Sequence, residues 1–220
     1  MAIRAAIFDM DGLLIDSEPL WQQAADEVLQ QYHQKLTTKQ YETTTGLRTK
    51  EFIEHWFNHF KLAEHLQPKA VDEIIELVKE KVQKHPTIMP GVQHIIEYFL
   101  RKDFSIGIAT SSPRSLADVV IDMMGIRKIL GAISTAEHLP YGKPHPQVYI
   151  NCAAALVVPP TECICFEDSF NGVIAAKAAR MKCVVVPSGH LANDARWGAA
   201  DLKISSLQNF NDLLMQHLIM

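Results

Sequence analysis

The stretch Ala5-Ala6-Ile7-Phe8-Asp9-Met10-Asp11-Gly12-Leu13-Leu14-Ile15-Asp16 decides the fold. An apolar run ends at two aspartates spaced i, i+2, and a glycine follows. On an extended segment side chains alternate, so Asp9 and Asp11 leave on the same side. Carboxylates held that close repel, and they need a cation or a shared proton. A polar turn with Gly12 supplying an unusual backbone angle is the plain alternative. It leaves the later motifs unexplained.

Those motifs follow a change of pattern along the chain. Residues 16–86 are helical throughout, with a first helix carrying Leu20 to Leu29 and others over about 38–44, 49–60 and 68–83. Asp16 or Ser17 is placed to cap the first, and Leu20, Ala24, Ala25, Val28 and Leu29 keep its apolar face. A linker, His85-Pro86-Thr87-Ile88-Met89-Pro90-Gly91, closes this zone. From Gly91 onward helices and strands alternate. Strands are expected at 105–109, 132–134, 163–166, 183–186 and weakly at 200–204. Helices are expected at 92–101, 113–124, 146–156, 172–180 and 207–217. That alternation implies a parallel sheet covered on both faces, with ligands beyond the carboxyl ends of its strands. The expected architecture is α/β: a Rossmann-like core of 1–15 and 87–220, with a helical domain of 16–86 inserted after the first strand.

Composition narrows the function. The chain has 220 residues, is 48% hydrophobic and 21% charged, and carries a net charge of −4. These values suit one core plus an insert in a soluble globule. They offer no electrostatic case for nucleic acid or an anionic membrane. No apolar run approaches a membrane helix, and the short apolar start does not match a signal peptide. Cys152, Cys163, Cys165 and Cys183 show no zinc spacing and read as reduced core thiols. A cytoplasmic monomer is expected.

The strand ends carry the chemistry. Thr110-Ser111-Ser112-Pro113 offers hydroxyls and free backbone N–H groups at a helix start, an anion site or an ordinary cap. Tyr141-Gly142-Lys143-Pro144 fixes a lysine between a glycine and a proline, as a phosphate clamp or a solvated turn residue. Phe166-Glu167-Asp168-Ser169 adds carboxylates that complete a hard-cation site with Asp9 and Asp11, and Mg²⁺ suits such oxygen ligands. His55 and His59 share a helix face, but the metalloprotease pattern is absent, so a metal site is not expected there.

In this order the four motifs resemble the haloacid-dehalogenase-like (HAD) hydrolase superfamily, and the insert resembles its C1-type cap. Within it the chain is similar to the β-phosphoglucomutase-like group. Residues 8–19 and 139–149 look most like bacterial hexitol-phosphate and 2-deoxyglucose-6-phosphate phosphatases. The resemblance implies Asp9 as nucleophile and Asp11 as general acid and base. It implies Mg²⁺ held by Asp9, the Asp11 backbone carbonyl and Asp168, with Glu167 a ligand or a partner of one. Thr110, the Ser111 backbone and Lys143 would hold the transferring phosphoryl oxygens. A Lys143–Asp9 ion pair and a cis Lys143–Pro144 bond are also expected. Leu14, Glu18, Trp21 and Arg48 are the candidates to face a sugar, with Trp21 equally readable as a hinge-helix core residue. The expected substrate is a small phosphorylated sugar or sugar alcohol. A sugar phosphomutase is the alternative. It is disfavoured because Trp21 and Thr45 stand where that group carries a histidine and a lysine, but Arg48 could partly replace the lysine for the far phosphate, which keeps the mutase as the runner-up. A phosphorylated receiver module is a third class, which the insert and the Asp9-x-Asp11 pair argue against.

Overall fold

A computed structural model describes residues 2–219; Met1 and Met220 lie outside the described residues. Six parallel strands form one sheet in the order β3-β2-β1-β4-β5-β6. They are β1 Ala5–Phe8, β2 Ser105–Thr110, β3 Ala132–Thr135, β4 Cys163–Glu167, β5 Lys182–Val185 and β6 Leu202–Lys203. β1 is fully buried because both sheet faces are covered. Ala6 and Phe8 point to one face with Ile106, Ile108, Ile164 and Phe166, and Ala5 and Ile7 to the other with Cys163, Cys165 and Cys183. The first face is aromatic, with Phe8 stacked on Phe166 at 5.0 Å between ring centroids.

The helices divide between the faces. On the aromatic face lie α5 Val92–Leu100, α6 Arg114–Met124 and α9 Asp212–Ile219. On the other face, built from alanine and cysteine, lie α7 Gln147–Ala155 and α8 Phe170–Ala178. The chain runs outward from β1 through β2 to β3, then crosses back to β4 on the far side of β1. A topological switch point therefore lies between β1 and β4, where ligands of such sheets bind. Register places Phe8 level with Ile108 and Phe166. Asp9 thus emerges beside Glu167.

Between β1 and α5 the chain makes four further helices: α1 Glu18–Gln31, α2 Thr38–Thr44, α3 Thr49–Phe60 and α4 Gln67–Lys84. The apolar face of α1 buries the five residues its spacing marks. It packs on α4, whose Ala70, Ile74, Val78 and Val82 are buried. The two segments entering and leaving this insert run side by side. Asp16 N–H donates to Thr87 O at 2.8 Å and Met89 N–H to Leu14 O at 3.0 Å.

Three local expectations are corrected. Ser17 begins α1 without a side-chain cap, because its hydroxyl donates to Asp11 instead. The strand expected at 200–204 is regular only over β6, although its bonding to β5 continues through Asp201 N–H to Cys183 O at 2.9 Å and Ile204 N–H to Val185 O at 3.0 Å. The closing helix expected at 207–217 splits into a 3₁₀ turn, Leu207–Asn209, and α9. The Asn211 side chain accepts the Leu213 and Leu214 N–H groups there and starts a new helix.

Candidate active site

Beyond the carboxyl ends of the strands lies a cavity of about 360 Å³ between the sheet and the insert. Asp9, Thr110, Lys143 and Asp168 line its floor, and Trp21, Tyr41 and Phe52 contribute to its wall. Each floor residue follows from a strand end. Asp9 and Glu167 are neighbours across β1 and β4, and Asp9 N–H continues the ladder to Phe166 O at 3.0 Å. Thr110 ends β2. Lys143 comes from the β3–α7 loop and meets both carboxylates.

The Lys143 ammonium donates to Asp9 Oδ1, and to Glu167 Oε1 at 2.6 Å. The Lys143–Pro144 peptide is cis. Burial works against the lysine's charge, but Asp9 and Glu167 outweigh it and hold the ammonium protonated. Glu167 is fully buried and fully used. Its Oε1 accepts from Lys143 and the Tyr149 hydroxyl, and its Oε2 from the Asp168 and Ser169 N–H groups and the Ser169 hydroxyl.

Asp11 sits where sheet and insert meet. Its Oδ1 accepts from Ser17 Oγ at 2.7 Å and Trp21 Nε1 at 2.9 Å. Its Oδ2 accepts from Ser112 Oγ at 2.7 Å and Thr110 Oγ1 at 3.3 Å. Two donors thus come from α1 and its start, and two from the end of β2. Gly12, next in sequence, has φ +74°, and a Cβ there would lie 2.1 Å from Asp168 Oδ2. The close approach of the turn to Asp168 requires glycine.

The cluster carries more negative charge than Lys143 neutralises. Asp168 is pushed well above the usual carboxylate range by burial, then by the charges of Glu167, Asp9 and Glu18. Asp9 is raised by burial and by Glu167 and Asp11, despite Lys143. Glu18 is pushed up to about 7 by burial, Asp11 and Asp16. Ligand oxygens of Asp9, Glu167 and Asp168 all lie within 4.8 Å of one another. Such hard oxygen donors with surplus charge fit a divalent cation.

Two sugar-facing candidates are placed elsewhere. Leu14 is 0% exposed in the apolar core, because the chain folds back so that Leu14 N–H reaches Met10 O at 2.9 Å. Arg48 leaves its guanidinium on backbone carbonyls of the β3–α7 loop rather than among the residues lining the cavity. Glu18 and Trp21 do line the cavity, as does Ser111, whose hydroxyl donates to Gly46 O of the insert at 2.7 Å. From the sequence Ser17 is only a candidate helix cap, and Ser112, Ser169 and Tyr149 have no separate role. Ser112 belongs to a visible hydroxyl run. The other three become site residues only through the fold.

A doubly wound parallel sheet with carboxylates and a lysine converging at its switch point defines a class of α/β enzymes acting on anionic ligands. The chain belongs to the haloacid dehalogenase-like hydrolase family, whose model matches residues 6–186. It is 40% identical over 206 residues to hexitol phosphatase B of Escherichia coli (strain K12), covering 93% of both chains. Fructose-1-phosphate phosphatase YqaB of the same organism is 30% identical, over 82% of this chain and 94% of that one. Among solved structures, β-phosphoglucomutase from Clostridium difficile superposes with a TM-score of 0.88, covering 98% of this chain and 96% of that one. At 22% identity it attests the fold alone.

Proposed function

We propose that this protein is a Mg²⁺-dependent phosphatase that hydrolyses a small sugar or sugar-alcohol monophosphate through an aspartyl-phosphate. The observation that carries this reading is Asp9, paired with Lys143 at the switch point, with Asp11 held beside it by four donors. The similarity to hexitol phosphatase B supports the substrate class.

In this reading an Asp9 carboxylate oxygen attacks phosphorus as the bond to the sugar oxygen breaks. Asp11 gives a proton to the departing alkoxide, then takes one from the water that attacks the aspartyl-phosphate. Phosphate leaves and Asp9 is restored. Lys143, Thr110 and the Ser111 backbone hold the equatorial oxygens where negative charge spreads. Glu167, with every oxygen engaged, orients Lys143. Asp9, Asp168 and the Asp11 carbonyl would hold Mg²⁺, which when bound offsets the repulsion between a carboxylate nucleophile and a phosphate dianion. Residues 16–86 act as a cap over a core of 1–15 and 87–220, excluding bulk water and reading the sugar through polar groups such as Glu18, Gln22, Tyr41 and Thr49.

A mutase needs a cation for the far phosphate of a bisphosphate. Arg48, the candidate for that role, is committed to backbone carbonyls, which favours hydrolysis. No helix among the described residues is long and apolar enough to cross a membrane. The four buried free thiols suit a reducing compartment, so a cytoplasmic location belongs to the same reading.

The test follows phosphate release from hexitol, hexose and deoxyhexose monophosphates, with Mg²⁺ and with excess EDTA. Metal-dependent release is expected. Full activity in EDTA would rule out the metal. Conversion of glucose 1-phosphate to glucose 6-phosphate faster than phosphate release would establish a mutase.

A further inference from the structure

Lys143 lies on a loop, residues 136–146, that contains only turns and bends. A side chain placed to an ångström on such a loop needs its backbone held from outside. The insert supplies the hold. Arg48, at the start of α3, donates from Nη1 to Ala136 O at 3.0 Å and to Leu139 O at 2.6 Å. Its Nη2 reaches Pro140 O at 3.4 Å. Three carbonyls of one loop thus converge on one guanidinium, an arrangement that a planar fork of donors satisfies and a point charge does not.

Glu51, one turn further along α3, completes the contact. Its Oε1 accepts from Arg48 Nη2 at 2.7 Å and from the Gly142 N–H at 2.9 Å. Gly142 directly precedes Lys143. Burial raises the Glu51 carboxyl, but the bonds from Arg48 and Gly142 outweigh it and keep the group ionised. A side chain here would displace both partners: a Cβ on Gly142 would lie 2.4 Å from Glu51 Oε2 and 2.9 Å from Arg48 Nε. Arg48 is only 9% exposed. The insert touches the sheet domain at a separate place as well, through Ser111 Oγ to Gly46 O and Asn171 Nδ2 to Thr45 O at 2.9 Å. Loss of the Arg48 contact would therefore release the lysine loop without releasing the whole insert.

We propose, on the reading given above, that Arg48 and Glu51 are positioning residues that lock the 136–146 loop, keep the Lys143 ammonium on Asp9 and make phosphoryl transfer depend on the insert being closed. The lysine that holds the phosphoryl group is then set in place jointly by Glu167 and Asp9 of the sheet domain and by the element that reads the substrate.

The experiment measures kcat and KM on sorbitol 6-phosphate, together with amide hydrogen exchange, for wild type, Arg48→Met, Arg48→Lys and Gly142→Ala. Hydrogen bonds to a charged group are each worth enough that Arg48→Met is expected to lower kcat about 10–100-fold. KM should change less than kcat, because the Lys143 contact strengthens as charge spreads over the phosphoryl oxygens in the transition state. Exchange should rise in 136–146 and stay unchanged in β1 and β4. Arg48→Lys should recover little of the loss. Gly142→Ala, which wedges the same contact and leaves Arg48 intact, should reproduce the pattern and covers the case in which Arg48→Met does not fold. A folded Arg48→Met with wild-type kcat would overturn the proposal. So would a fall in kcat with exchange in 136–146 unchanged, or wild-type behaviour of Gly142→Ala. If the wild type releases phosphate from none of the hexitol, hexose and deoxyhexose monophosphates, the phosphatase reading fails, and the exchange measurement alone decides the lock.

Discussion

At the scale of the residue, the two aspartates of one motif have unlike surroundings. Asp9 faces Lys143 and an excess of carboxylates, whereas Asp11 is gripped by hydroxyls and an indole. Asp9→Asn keeps the shape and removes the carboxylate proposed as nucleophile. Enzymes accelerate phosphate-monoester hydrolysis by up to ~10²¹-fold, so phosphate release from the folded variant should fall to background. Near-normal turnover would remove Asp9 from its role. Trp21 is a subtler case. It reads from sequence as a hinge-helix core residue or a sugar wall, and its indole N–H is also a donor to Asp11 at 2.9 Å. Trp21→Phe keeps the ring and deletes that bond. A loss of about tenfold in kcat is expected, the worth of one hydrogen bond to a charged group, with circular dichroism unchanged. An unchanged kcat would return Trp21 to a packing role.

At the scale of the element, strands were legible where both faces are buried. β1, β2 and β4 are short apolar runs that end in polar residues, and Asp9, Thr110 and Asp168 follow directly from those ends. The helical insert was legible from its spacing of apolar residues, which α1 and α4 bury as expected. What sequence hid was decided by contacts between distant segments. Arg48 looks like any cationic residue beside a ligand loop, and only the approach of 136–140 makes it a clamp. The break before α9 depends on one asparagine side chain. Ser169 shows how an element end serves the site. Its hydroxyl accepts the Gly172 N–H at the start of α8 at 3.0 Å and donates to Glu167 at 3.0 Å. Ser169→Ala removes a helix cap and one of the donors on a buried carboxylate. A loss of about 1–3 kcal/mol is expected, read as a lower urea midpoint with the slope unchanged. A variant as stable as wild type would show that neither bond contributes.

At the scale of the whole molecule, the site stores unfavourable charge that a cation relieves. Asp9, Asp11, Asp16, Glu18 and Asp168 share one cavity with Lys143, and the whole chain is itself negative at −4. Glu18 sets the sign of the resulting pH dependence. Its folded value is raised from 4.5 to about 7, so the folded state binds the proton more tightly than the unfolded state does. That contribution to stability is fully present below pH 4.5 and is lost as pH rises through about 7. Asp9 and Asp168, raised by burial, act in the same direction. In EDTA the melting temperature should therefore fall between pH 6 and pH 8. Mg²⁺ binds ionised carboxylates, so its stabilisation should grow over the same interval, and the curves with and without metal should diverge as pH rises. In a chain of this size ~1 kcal/mol moves the melting temperature by roughly 2–4 °C, which scanning calorimetry resolves. Glu18→Gln separates the two effects, because the amide cannot titrate and Glu18 is not among the assigned ligands. It should flatten the EDTA curve and leave the shift caused by Mg²⁺ in place. A melting temperature in EDTA that rises from pH 6 to pH 8 would show that the acidic cluster is not where the folded protein holds its strained charge, and a Glu18→Gln curve as steep as that of wild type would assign the fall to Asp9 and Asp168 instead of Glu18.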